Sequence, residues 1–149
     1  MTGQQTFPGL TRHALEEHQQ VHFYLDQLER GLKGIESEPA EVETLRRLAA
    51  QIEGLEERLR EHFEGESGGL FRAVQDILPD VRGELQRLSG QHAQLLEMLE
   101  MARTRAQWGE PSEAGVLKAE LEAFLKAVRE HERREEALLT RALERDRQR

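Results

Sequence analysis

The chain has 149 residues, a formal net charge of −8 and no cysteine. That length suits one domain with a real core. The charge argues against a nucleic-acid partner, and the lack of thiols excludes disulfides, iron–sulfur clusters and thiolate zinc sites. Leu, Glu, Ala, Arg and Gln dominate, while Val, Ile and aromatic residues are scarce, so the composition predicts an all-α protein.

Residues 1–9 are polar, with no apolar signal core, and read as an N-terminal tail. A first helix carries Thr11, Ala14, His18, Val21, Leu25, Leu28, Leu32 and Ile35 at helical spacing. Gly34 to Pro39 breaks the pattern. A second helix runs through Leu45, Leu48, Ile52, Leu55, Leu59, His62, Glu66 and Leu70. Gly65, Gly68 and Gly69 surround Glu66 and weaken helix propensity there. They predict either a frayed or kinked segment, or a close backbone approach or opening.

Pro79, between Asp76 and Asp80, separates the second helix from a third. The third carries Val81, Leu85, Leu88, His92, Leu95, Leu99 and Ala102. Trp108 to Gly115 forms the last break, with Trp108 expected as a lid over the end of the molecule. The fourth helix has the cleanest stripe: Leu117, Leu121, Phe124, Val128, His131, Glu135, Leu138 and Ala142. Its basic end, Arg141 to Arg149, suits the negative end of a helix dipole.

Short connections between four such helices predict an up-down-up-down antiparallel four-helix bundle over residues 10–145, with 146–149 as a C-terminal tail. No apolar run approaches the roughly 20 residues of a membrane span. The expectation is a cytoplasmic protein with neither a membrane nor a nucleic-acid partner.

One phrase occurs twice: Leu59-Arg60-Glu61-His62-x3-Glu66 and Val128-Arg129-Glu130-His131-x3-Glu135. Spacing of four puts His and Glu on one helix face, one turn apart. Each pair lies within an otherwise apolar stripe, and the other two helices each add one His to theirs, His18 and His92. Counting residues from the three breaks puts the neighbouring His pairs at levels differing by roughly 9, 3 and 5 Å in an antiparallel bundle. The layer falls toward the end that holds the second break.

A single His on such a stripe is usually a satisfied core histidine, and a single Glu usually reaches solvent or an Arg. Arg60, Arg72, Arg129, Arg133 and Arg134 could serve as such partners. Six polar groups converging on one layer call for another explanation. Unpaired carboxylates there would each cost several kcal/mol or would protonate, and a cation removes that cost. Nitrogen and oxygen donors without sulfur suit Fe or Mn, with Zn possible. Six ligands, His18, His62, Glu66, His92, His131 and Glu135, suit two ions with bridging carboxylates.

His22 flanks the stripe, either as a further imidazole or half-exposed, and His13 reads as surface. Glu136 competes with Glu135, which the spacing of four favours. Glu17, Glu61 and Glu130 each precede a site His, face away from the stripe and read as solvated.

Glu17-His18-x2-Val21, His62-Phe63-x2-Glu66 with Leu70-Phe71, the mid-chain His92, and His131-x3-Glu135-Glu136 with Leu138-Leu139 resemble the hemerythrin-like (HHE cation-binding) family. The likeness spans about Leu10 to Leu143. It implies two Fe ions inside an up-down bundle. His18, His62, His92 and His131 would be terminal ligands, and Glu66 and Glu135 bridges. Dioxygen or another small diatomic molecule would be the partner. Oxygen-carrying members hold a further His one turn after the third-helix ligand, where this chain has Leu96. Their fourth-helix carboxylate lies five residues after its His, which corresponds here to Glu136.

The resemblance therefore implies a non-haem di-iron protein that binds or senses dioxygen or a related ligand. The alternative on the same centre is a redox or iron-handling protein, such as a ferroxidase or one acting on nitric oxide or peroxide. A metal-free helical interaction module is the third reading. Ferritin-like sites use Glu-x-x-His. Here Leu10, Leu15, Gln19, Leu59, Ser89 and Val128 stand three before the six His, so that pattern is missing.

Overall fold

The computed structural model describes residues 6–35 and 41–149. Most of the tail expected over residues 1–9, and most of the first break, lie outside them. The described residues form α1 (Phe7–Lys33), α2 (Val42–Gly65), a π-helical turn (Glu66–Leu70), α3 (Phe71–Ile77), α4 (Arg82–Trp108) and α5 (Ala114–Arg147). Short 3₁₀ turns at Pro79–Val81 and Pro111–Glu113 precede α4 and α5. Among the described residues there is no strand, and no helix is long and apolar enough to cross a membrane.

The helix ends follow local chemistry. α1 starts at Phe7, inside the stretch read as tail, because the Thr6 hydroxyl accepts a hydrogen bond from the Gly9 amide at 3.2 Å and Pro8 sits in the first turn. At Leu78 the backbone leaves helical geometry (φ −121°, ψ 82°) just before Pro79, as the residue preceding a proline is driven to do. Gly31 permits close approach of α1 and α2: a β-carbon there would lie 2.6 Å from Gln51 Oε1 and 3.2 Å from Leu48 Cδ1.

The glycines around Glu66 neither fray the helix nor admit a close neighbour. A β-carbon at Gly65, Gly68 or Gly69 would meet nothing within 4 Å. The chain instead widens by one residue, the Phe71 amide bonding to the Glu66 carbonyl. α2, the π turn and α3 thus make one continuous arm. The extra residue keeps Glu66, Leu70 and Phe71 all buried.

α1 packs on α2, α2 on α4, α4 on α5 and α5 on α1, so each long helix has two neighbours. The core between them is split in two. The larger cluster includes Val21, Leu59, Phe63, Leu95, Leu99, Phe124 and Val128. The smaller holds Ala14, Leu70, Leu88, Leu138 and the residues at the second break, Leu78 and Val81. Along α1 the order is smaller cluster, His18, larger cluster. Along the arm made by α2, the π turn and α3 it is larger, then His62 and Glu66 with Phe63 of the larger cluster between them, then smaller. α4 repeats the order of α1 around His92, and α5 that of α2 around His131 and Glu135. A polar layer therefore separates two apolar blocks.

Trp108 is no lid. It ends α4 with 81% of its surface exposed. Phe124→Ala, removing a fully buried ring, should lower the unfolding free energy by about 3–5 kcal/mol. Trp108→Ala should change it by less than about 0.5 kcal/mol. Urea denaturation followed by circular dichroism measures both.

Candidate metal centre

His18, His62, Glu66, His92, His131 and Glu135 are all buried, none more than 6% exposed. The structure brings the six together in the polar layer. Each imidazole turns Nε2 inward. His62 Nε2 lies 2.8 Å and His18 Nε2 3.5 Å from Glu66 Oε2, while His92 Nε2 lies 3.0 Å from Glu66 Oε1. Glu135 mirrors this, with Oε1 at 2.9 Å from His18 Nε2 and Oε2 at 3.4 Å from His131 Nε2. The rings pair as His18 with His62 (centroids 4.8 Å apart) and His92 with His131 (5.0 Å). Each carboxylate thus presents one oxygen to each pair of rings.

Two four-donor groups result. One is His18, His62, Glu66 and Glu135; the other is His92, His131, Glu66 and Glu135. Within each, ligand atoms lie within 4.8 Å of one another. The atoms are close without being aligned. Both Glu66 oxygens, Glu135 Oε2, and Nε2 of His92 and His131 are buried without a well-directed hydrogen bond. Buried polar atoms left in that state are costly. Donors that crowd around a point instead of facing one another fit a cation at that point.

The Nδ1 atoms face outward, each to a different acceptor. Glu17 Oε1 is 3.0 Å from His62 Nδ1, Glu136 Oε1 3.0 Å from His18 Nδ1, Gln91 Oε1 2.7 Å from His131 Nδ1, and Ser67 Oγ 3.4 Å from His92 Nδ1. An Nδ1–H donated to such an acceptor leaves the Nε2 lone pair facing inward, the tautomer a metal ligand needs. Phe63 also stacks on His92, with centroids 4.0 Å apart and planes 4° from parallel. This fixes the ring plane.

Of the flanking side chains, one lies elsewhere than expected. Glu17 is not merely solvated: it is half-buried and holds His62. Glu135 faces the centre while Glu136 sits on the outer side of His18. His22 is half exposed and hydrogen-bonded to Glu132 at 2.6 Å, and His13 is exposed. The arginines considered as partners do not neutralise the layer. Arg129 pairs with Glu29 and Asp26, and Arg134 with Glu130. The ion pairs of Glu66 and Glu135 are with imidazoles.

Glu132, buried at 5% exposure, escaped the sequence reading. A signal for it exists, because Leu125, Glu132 and Leu139 are spaced by heptads and all three are buried. The outer acceptors Gln91 and Ser67 had no such signal. A cavity of about 190 Å³ opens beside His131, lined by Gln91, Gln94, Met98, Glu130 and Arg134 among others.

Without a cation, the layer must balance its own charge. Burial pulls the His18 imidazolium down, but hydrogen bonds to Glu135 and Glu66 outweigh it and raise the pKa from 6.5 to about 11. Burial opposes the His62 charge too, and Glu66 with Glu17 raises it. Burial pushes both central carboxyls up. Glu135 goes up, since it also shares a hydrogen bond with Glu66, whereas that bond and the imidazoles hold Glu66 well below the usual range. Burial raises Glu132 as well.

Comparison with protein-family models, with curated proteins and with solved structures finds no match.

The sign of the pH dependence follows from these directions. His18, raised in the fold, stabilises fully below about pH 6.5, and this is lost as pH rises toward about 11. Glu66, lowered, stabilises above about pH 4.5, and this is lost as pH falls. Glu135 and Glu132, raised in the fold, lose their contribution as pH rises above about 4.5, so the metal-free protein should be most stable near about pH 4.5 and should weaken steadily toward alkaline pH. Thermal midpoints after exhaustive chelation test this. A midpoint that climbs between pH 7 and 10 would show that these ion pairs do not form.

Proposed function

We propose that this chain is a hemerythrin-like, non-haem di-iron protein that binds or senses dioxygen or a related small ligand. The observation that carries the reading is the pair of four-donor groups sharing both Glu66 and Glu135. One ion would be held by His18, His62 and one oxygen of each carboxylate. The second would be held by His92, His131 and the remaining oxygens. The order of the two apolar clusters reverses from each long helix to the next, which supports an up-down-up-down antiparallel bundle.

The chemistry of the donors supports iron. Imidazole and carboxylate without sulfur suit Fe or Mn, with Zn possible. When bound, an iron pair supplies electrons for combining with a small oxidant. The chain's own residues do the rest. Glu17, Glu136, Gln91 and Ser67 hold the Nδ1 side of the four imidazoles and orient them. Phe63 and the two apolar clusters keep bulk water from the layer. A metal-free interaction module gives no reason for the orphaned inward atoms.

A redox or iron-handling role on the same centre is the second reading. Leu96 favours it: the residue one turn after His92 packs against the larger apolar cluster. Each half therefore keeps two imidazoles, whereas oxygen-carrying members of the resembled family have an additional one.

Anaerobic reconstitution should give about two irons per chain. His62→Ala and Glu66→Ala should lose most of that metal while remaining helical. Metal analysis finding none in the wild type would end the proposal. Mixing the reduced, iron-loaded protein with dioxygen in a stopped-flow spectrometer separates the two readings. A lasting new absorbance favours binding or sensing, and immediate oxidation with no such species favours redox chemistry.

The loaded protein should also reverse the pH trend of the metal-free one. Protons compete for the imidazoles, so its thermal midpoint should fall steeply below about pH 6 as metal is expelled. Equal trends with and without iron would mean that the metal is bound elsewhere.

A further inference from the structure

Beside the central layer lies a second group of donors, His18, Glu132 and Glu136, again with ligand atoms within 4.8 Å of one another. Its carboxylates differ in setting. Glu136 is 43% exposed at its side chain, whereas Glu132 is 7% exposed. Glu132 Oε1 is buried without a hydrogen-bond partner. Its other oxygen is held by His22 Nε2 at 2.6 Å, and His22 is half exposed.

A buried carboxylate oxygen with no partner costs free energy. The fold has a ready answer elsewhere: the equally buried Glu56 is paired with Arg103. Near Glu132, Arg129 is engaged by Glu29 and Asp26. Exposure falls from the half-exposed Glu136 and His22 to the buried Glu132 and His18. His18 turns Nδ1 toward Glu136 and Nε2 toward the central carboxylates.

We propose that Glu132, Glu136 and His18 form an entry site, at which a divalent cation displaces the proton between His18 Nδ1 and Glu136 and is first held before it passes His18 into the central layer. Two carboxylates with one imidazole suit Fe²⁺, Mn²⁺ or Co²⁺. The exposed Glu136 leaves room for water on the ion, so holding is brief and exchangeable. His22 is a positioning residue that keeps Glu132 aimed at the site. The acidic chain, at −8, adds a general attraction for cations. The entry role rests on the two-metal reading of the central layer.

The test is the rate of anaerobic loading of the metal-free full chain with Co²⁺, followed by visible absorbance, together with the final metal content. In the wild type the rate should saturate with Co²⁺ concentration, as a prior binding step requires. Glu132→Gln should load about tenfold more slowly, without saturation, and reach the same final content. Glu132→Asp should recover part of the rate, and His22→Gln should be intermediate. Glu130→Gln removes the same charge from a neighbouring surface position and should load as the wild type does.

Wild-type kinetics in Glu132→Gln, or equal slowing in Glu130→Gln, would overturn the entry site and leave the central reading intact. A lower final content in a folded Glu132→Gln would overturn it too, by making Glu132 part of the central set. A wild type that takes up no Co²⁺ or iron would remove the central reading and the entry site with it.

Discussion

The structure depends on the burial of two carboxylates, Glu66 and Glu135, at 2% and 1% exposure. Charge so far from water must be matched where it lies. Glu56 shows the ordinary solution, an arginine reaching in from the next helix. At the central layer the positive partners are imidazoles instead. Imidazole differs from guanidinium in one decisive respect: a metal ion can displace its proton, and it then offers a lone pair in the same direction. One arrangement of side chains can therefore be neutralised by protons or by metal cations. The proton solution leaves several inward atoms without a directed bond, whereas cations among the donors would use them all.

The rest of the fold holds that layer still. Two apolar clusters grip the helices above and below it, so neither carboxylate can swing out to solvent without opening packed side chains. The π turn supplies the one local irregularity. The residue it adds lets Glu66 face the imidazoles while Leu70 and Phe71 still reach the smaller cluster. Fixed rings and fixed carboxylates are what a site needs if binding is not to lose its gain in ordering its own ligands.

Much of this was legible in the sequence, for a physical reason. A helix writes its buried face at regular spacing, so His18, His62, His92 and His131 could be read as inward-facing among leucines, and the paired Glu66 and Glu135 with them. What the stripe cannot write is what lies beside it. Glu17 and Glu136 flank the stripe and read as solvent-facing or competing residues, yet they end on the outer nitrogens of His62 and His18 because neighbouring helices bring those nitrogens to them. Gln91 and Ser67 are recognisable only once the rings have a direction. Glu132 is buried in a heptad row with Leu125 and Leu139 beside the narrow stripe, where His22 of α1 meets it. The π turn was half visible: the glycines marked weakness in the helix, but not that the chain would widen there instead of breaking.

Equal ligand counts do not make the two halves of the centre equivalent. The His18 and His62 rings are backed by carboxylates, Glu136 and Glu17. The His92 and His131 rings are backed by a neutral hydroxyl and a neutral amide, Ser67 and Gln91. A carboxylate behind an imidazole makes it a stronger donor and favours the more positive ion in front of it. In the proposed centre His18 and His62 would thus be the stronger donors, and His92 and His131 the weaker. The cavity beside His131 opens on that second half, and the acidic residues Glu132 and Glu136 adjoin the first. Cation traffic and small-ligand access would then use the two flanks of α5, the one toward α1 and the other toward α4.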